Sequence, residues 1–245
     1  MTSSERDGTL PSSQRKENAV VQVMGREVTL PVEVRDASSA TAMWEVDAAA
    51  LTALLPTGDV EVVETSPGRA QFALALVDYR DNDLGTYLEV GLIAFVRPRA
   101  GGEDGTFILR LPVDGEFTCA AGREVWGFPK SVEDLAFEYA DDHLTVVLRS
   151  DGELVLRVRV PRGGSDPTPP MTLMSYTVKD GRLHRTPFTQ GGEATGLVLG
   201  PDGVELELGS HPWAKELASL GLPSPAILST WNERMQATFE AAEPV

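Results

Sequence analysis

From Val20 onward, apolar residues recur mainly at every second position, the spacing of a strand that buries one face. Seven stretches carry this alternation between turn residues: Val60 to Glu64, Ala70 to Tyr79, Thr86 to Arg97, Thr106 to Pro112, Leu144 to Arg149, Glu153 to Val160 and Gly203 to Leu208. Ser150-Asp151-Gly152 joins LTVVLR to ELVLRVRV, and Pro201-Asp202-Gly203 joins GLVLG to VELELG. Both read as hairpins, with the glycine that a turn of positive φ favours. Two runs have helical spacing instead. Asp47 precedes AAALTALLP as an N-cap, and WAKELASLG places Trp213, Leu217 and Leu220 on one face before Gly221. Arg99 to Gly105, Arg162 to Pro170 and the Gly191-Gly192 pair read as loops. The pattern predicts a mainly β member of the α+β class, a barrel or cone of antiparallel strands closed at its ends by a few short helices.

Composition places this pattern in one unit. Residues 1–19, rich in Ser, Arg and Glu and poor in large apolar groups, read as a disordered tail, and residues 20–245 as a single domain without repeats or a shift in composition. The chain carries 21 Lys and Arg against 37 Asp and Glu, a net charge of −16. Such a surface repels phosphate, which excludes nucleic acid and anionic membrane as partners. The amino end lacks an apolar core for a signal peptide, no run is long enough to span a bilayer, and the single cysteine, Cys119, cannot form an internal disulfide. These features predict a cytoplasmic location.

Most chemical signatures fail. His143, His184 and His211 stand apart from one another and from Cys119, so no zinc site is predicted. The acidic run from Asp78 to Asp83 lacks the glycine and distal glutamate of a calcium loop, and reads as a charged turn. No phosphate-binding glycine loop and no nucleophile elbow occurs. Cys119, within EFTCAAG, reads as a packing residue. What remains is Gly122 to Lys130, GREVWGFPK, where a lysine follows Trp126, Gly127, Phe128 and Pro129. Only four of the basic residues are lysines, and Lys16, Lys179 and Lys215 all lie in polar surroundings. A lysine among apolar side chains is disfavoured as an ammonium and becomes available as a nucleophile; in water only about one in a few thousand is neutral at pH 7. The competing reading is a solvated lysine on a surface turn.

The G-R-E-x-x-x-[FY]-P-K string ending at Lys130, together with Leu84-Gly85-Thr86-Tyr87-Leu88-Glu89, resembles the two motifs of the acetoacetate decarboxylase family. The likeness runs from Arg26 to the end, where LELGSHPWAKELASLGLPSPAILSTWNERMQATFE is similar to the closing strand, helix and final strand of that family. The resemblance implies an acetoacetate decarboxylase-like barrel or cone, no cofactor, a small keto acid as partner and assembly into a homo-oligomer. It implies Lys130 as the Schiff-base nucleophile and Glu89 as the acid/base or orienting carboxylate. Arg35 is the candidate for holding the substrate carboxylate, and Glu124 is a motif residue with either a binding or a structural role. Two positions depart from the family. Ser131 stands where a second lysine follows the nucleophile, and Ala73 where a second carboxylate is found. Without that neighbouring cation, activation of Lys130 would rest on an apolar wall of Trp126, Phe128 and Phe72. The implied activity is decarboxylation of a keto acid; the alternatives are an aldolase-dehydratase using the same lysine and a non-catalytic small-molecule binding protein.

Overall fold

The computed structural model describes residues 19–245. The expected tail lies outside the described residues except for Ala19, which opens the first strand. The order is β1 (Ala19–Val23), β2 (Arg26–Leu30), β3 (Val32–Asp47), α1 (Ala48–Ala53), β4 (Val60–Val62), β5 (Glu64–Ser66), β6 (Arg69–Asn82), β7 (Tyr87–Pro98) and β8 (Gly105–Val113). Next come α2 (Glu116–Ala121), which passes into a π-helical turn (Gly122–Trp126), then β9 (Lys130–Val132), β10 (Asp134–Tyr139), β11 (His143–Ser150) and β12 (Glu153–Pro161). The chain ends with β13 (Asp166–Lys179), β14 (Arg182–Leu199), β15 (Glu205–Leu208), α3 (Pro212–Ser219), β16 (Leu228–Phe239) and β17 (Glu243–Pro244).

Seven strands close into a barrel in the order β7, β6, β3, β16, β14, β13, β8, with β8 pairing back onto β7. The closure removes free edges. Most pairs are antiparallel, but β13 runs parallel to β8, with Ser175 opposite Thr106. The long excursion between those strands, through α2 and the outer sheet, makes the parallel seam possible. A second sheet, β10-β11-β12-β15, covers one side of the barrel.

Alternation divides each barrel strand between two tasks. On β6, Phe72, Leu74 and Leu76 point outward into a core shared with Trp44, Leu148, Leu156, Val158 and Leu217. The intervening Ala73, Ala75 and Val77 point into the barrel. Because both faces are covered here, the strand is apolar without interruption from Phe72 to Val77, and only the size of these residues separates core from interior. Large groups outside and small groups inside leave the barrel partly unfilled.

The fold class is that expected from the sequence, and several local expectations hold. Asp47 caps α1 by accepting from the Ala50 amide at 2.7 Å. Ser150 to Glu153 is a tight hairpin, with Asp151 and Gly152 both at positive φ. The second expected hairpin is incorrect: β15 pairs with β12, whereas Val198 and Leu199 at the end of β14 pair with β16. The turn at Gly203 thus carries the chain from the barrel to the outer sheet. Of the expected loops, the one from Arg99 joins β7 to β8 as read, whereas the other two fall wholly or partly within strands. β13 already begins at Asp166, with an irregular register against β14 that accommodates its prolines, and Gly191-Gly192 lies inside β14. There glycine permits close approach, since a Cβ at Gly192 would meet the Arg234 carbonyl and the Asn232 amide at 2.5 Å.

This division of faces is testable by urea unfolding. Leu74→Ala, on the fully buried outer face, is expected to lose about 2–5 kcal/mol. Ala75→Val, one position on, grows into open space and is expected to change stability by less than about 1 kcal/mol. Equal losses would contradict the assignment of inner and outer faces.

Candidate functional site

Glycine and proline shape the GREVWGFPK segment. After α2 the π-helical turn is closed by Gly127, at a φ of 71°. The Gly127 amide donates to the Arg123 carbonyl, and the Phe128 amide to that of Gly122. The Lys130 amide then donates to the Phe128 carbonyl at 2.7 Å, a three-residue turn centred on Pro129, whose fixed φ suits that position. Strand β9 begins at Lys130 and runs parallel to β8, with Lys130 opposite Leu111. The π-helical turn is held from the barrel side: Thr177 Oγ1 donates to the Trp126 carbonyl and Lys179 Nζ to the Val125 carbonyl, both at 2.9 Å. The Trp126 indole donates to the Glu240 carbonyl at 2.7 Å and stacks on Phe128.

This framework buries Lys130, which is 3% exposed, inside the barrel end. Its Nζ lies 2.8 Å from Glu89 Oε2 and 2.9 Å from Thr118 Oγ1, with the Tyr87 hydroxyl at 3.5 Å. Glu89 is positioned by β7, and its other oxygen accepts from Tyr79, 3.2 Å away on the paired strand β6. The Tyr79 and Tyr87 rings stack with centroids 4.4 Å apart, and Lys130 Nζ lies 4.6 Å from the centre of the Tyr87 ring. Burial pushes both phenol pKa values up; for Tyr79 the charge of Glu89 adds to this. Both hydroxyls therefore remain protonated, that of Tyr79 donating to Glu89 and that of Tyr87 accepting from Lys130.

The Lys130 pKa is the balance of two opposed effects. Burial alone would lower it, but the charge of Glu89, with smaller contributions from Tyr87 and from hydrogen bonds, outweighs burial and raises it. The expected activation by an apolar wall is thus corrected for the ligand-free protein, which favours an ammonium paired with a carboxylate. Part of the wall is also elsewhere. Trp126 and Phe128 line the cavity, whereas Phe72 faces the outer core beside Trp44.

The pair lies at one end of a cavity of about 260 Å³ inside the barrel, with a largely apolar lining. Among the described residues, Lys130 and Glu89 are the only charged groups on its wall, and Ala73 lines it where the family's second carboxylate was expected. Arg35 and Glu124 are not brought to it. Arg35 is 49% exposed and is held by Asp81 and Asp83 at 2.8 and 2.7 Å, because its neighbour Val34 takes the inward direction on β3. Glu124 is exposed on the π-helical turn. Ser131 follows Lys130 on β9, and alternation points it away from the pair.

Three residues of the site were not singled out from the sequence. Tyr87 is two positions before Glu89 and shares its strand face, a relation visible in the alternation. Tyr79 needs the β6-β7 register, which places it directly opposite Tyr87. Thr118 has no sequence signal, since α2 alone brings it to Nζ. No group of three or more His, Cys, Asp or Glu able to hold a metal occurs among the described residues, nor does any helix long and apolar enough to cross a membrane.

The first glycine of the motif has a steric role. A Cβ at Gly122 would lie 2.5 Å from Lys130 Cδ and 2.8 Å from Cε, so the lysine stem occupies the space a side chain would need. Gly122→Ala is expected to displace Nζ from Glu89 while leaving α2 intact, because alanine suits that backbone. A crystal structure of the variant with the 2.8 Å contact unchanged would contradict this role.

Comparison with known proteins agrees with this architecture. The chain resembles an acetoacetate decarboxylase structure from Legionella pneumophila, with a TM-score of 0.65, 21% identity and coverage of 88% of this chain and 87% of that one. An acetoacetate decarboxylase-like enzyme from Sphingomonas wittichii gives a TM-score of 0.59 at 16% identity, covering 90% and 96%. The enduracididine biosynthesis enzyme MppR, solved with the condensation product of pyruvate and imidazole 4-carboxaldehyde, gives 0.59 at 14% identity, covering 87% and 88%. At these identities the likeness concerns the fold. No match was found among curated proteins. The model described as acetoacetate decarboxylase matches residues 22–240, a span that holds both motifs and every barrel strand, and the chain therefore belongs to the acetoacetate decarboxylase family.

Proposed function

We propose that the protein is a Schiff-base enzyme that decarboxylates a keto acid, with Lys130 as nucleophile and Glu89 as its proton partner. The observation that carries this reading is the buried Lys130–Glu89 contact of 2.8 Å at the end of an apolar cavity. A lysine used only to bind carboxylate would not need its own internal carboxylate, which competes with the ligand. Glu89 takes the ammonium proton as the ketone approaches, and the freed amine attacks the carbonyl carbon. Loss of water gives an iminium. The electron pair of the bond to the carboxylate then moves toward the iminium, CO₂ leaves and an enamine remains. Glu89, which has given its first proton to the departing water and taken up another from solvent, protonates the enamine carbon, and water hydrolyses the new iminium to release ketone and the lysine ammonium.

The position of Arg35 favours decarboxylation over aldol condensation with dehydration. A condensing enzyme retains the substrate carboxylate and benefits from a cation that holds it throughout. Here Arg35 is engaged by two aspartates outside the cavity, and the cavity wall offers no second cation among the described residues. A carboxylate that is poorly solvated and weakly paired is a better leaving group.

Incubation with acetoacetate and other keto acids followed by borohydride is expected to give a mass adduct on Lys130, and no adduct with any of them would refute the nucleophile assignment. Glu89→Gln supplies a signed test. Without the opposing charge, burial, the largest single effect, is met only by the smaller contribution of Tyr87, and the Lys130 pKa falls below the ordinary lysine value of 10.5. The midpoint of the pH profile for adduct formation should move down by at least about one unit, while turnover falls by roughly 10²–10⁴. An upward or unchanged midpoint would show that Glu89 does not govern the lysine.

A further inference from the structure

The chemistry at Lys130 uses only one end of the cavity. A dry cavity of about 150 Å³ accepts benzene, so 260 Å³ holds roughly ten non-hydrogen atoms, and a four-carbon keto acid would leave roughly a third of it empty. The space extends along the barrel. Leu111 stands opposite Lys130, while Thr106, five residues earlier on β8, stands opposite Ser175. That separation is about 15 Å along the strand.

Between these ends the wall is cut back. Ala75 and Gly91 face each other across the β6-β7 pair, and a Cβ at Gly91 would already touch Ile93, Leu111 and Ala75 at 3.4 to 3.5 Å. At the far end stands Ser175. Its neighbours Met174 and Tyr176 face the outer core, so alternation turns Ser175 inward, onto the cavity wall. It is 3% exposed, and its hydroxyl has no hydrogen-bond partner among the described residues. A buried hydroxyl of this kind is suited to a polar group on a ligand. That group must be neutral, because Lys130 and Glu89 already satisfy each other and no other charge among the described residues lines the wall.

We infer that the substrate is a β-keto acid larger than acetoacetate. Its acyl substituent is an uncharged apolar chain of about four carbons that passes Ala75 and Gly91, with a neutral hydrogen-bonding group at its far end that meets Ser175; with the iminium-bound head this fills the roughly ten-atom space. The inference rests on the Schiff-base reading of Lys130, with the carboxylate held beside the iminium and the tail directed along the barrel.

The test uses the full chain and a series of straight-chain 3-oxo acids of four to ten carbons, with one long member hydroxylated at its terminal carbon. Borohydride trapping on Lys130 is measured by mass, and binding of the corresponding methyl ketones by calorimetry. Trapping efficiency and ketone affinity are expected to rise about three- to fourfold per added methylene until the cavity is full. Ser175→Ala should abolish any preference for the hydroxylated member, and Ala75→Leu should reverse the ratio of long to short. Adducts of equal or falling efficiency with length overturn the proposed substrate and leave the Schiff-base reading standing. No adduct with any acid, alongside ketone affinity that rises with length, overturns the Schiff-base reading and the keto acid with it, while the apolar tail stands. Affinity and trapping both insensitive to length and to Ala75→Leu overturn the tail.

Discussion

The buried ion pair of Lys130 and Glu89 is the constraint around which the barrel end is built. Placing an ammonium 3% exposed in an apolar interior is unfavourable unless a carboxylate and hydrogen-bond acceptors meet it. Glu89 and Thr118 do so at 2.8 and 2.9 Å, and Tyr79 satisfies the other carboxylate oxygen. Four separate elements therefore have to be in register: β6 for Tyr79, β7 for Glu89, α2 for Thr118 and β9 for the lysine. The same pair sets the chemical state of the site. Burial favours a neutral amine and the carboxylate favours an ammonium, so the lysine is held in its charged form but next to the group that can remove the proton.

The GREVWGFPK motif is best understood as packaging for this lysine. Gly122 leaves room for its stem, Gly127 reverses the backbone, and Pro129 forms the tight turn before β9. Lys179, set aside in the sequence for its polar surroundings, ties the π-helical turn to β13 through the Val125 carbonyl. Trp126 and Phe128 are cavity walls as well as packing residues. The glutamate of the motif, Glu124, has no part in the cavity.

The barrel strands reconcile a dense core with an internal space by assigning volume to alternate faces. Phe72, Leu74 and Leu76 pack against the second sheet, and Ala73, Ala75 and Val77 leave the interior open. The cavity thus arises from ordinary strand geometry combined with small inward residues, and its depth beyond the lysine is a property of Ala75 and Gly91. The net charge of −16 does not reach the inner wall, where one positive and one negative group balance.

The sequence by itself determined the fold class, the helix capped by Asp47 and the short helix that carries Trp213, the Asp151-Gly152 hairpin and the two motifs carrying Lys130 and Glu89, because these depend on spacing and local turn chemistry. It was less informative wherever a residue serves a distant part of the chain. Gly191-Gly192 looked like a loop because glycine's usual role is in turns, but it lies within a strand where another backbone comes close. The run before β15 looked like one side of a hairpin with it because local pairing is the default, but that run pairs with β16, and β15 pairs with β12. Arg35 looked available to substrate because nothing in its neighbourhood indicates which way β3 faces, and two aspartates some forty-six and forty-eight residues away claim it. Only the tertiary structure decided that Lys130 is paired, that Thr118 and Tyr79 reach it and that Phe72 does not, since burial and inter-strand register are set by contacts between segments far apart in the chain.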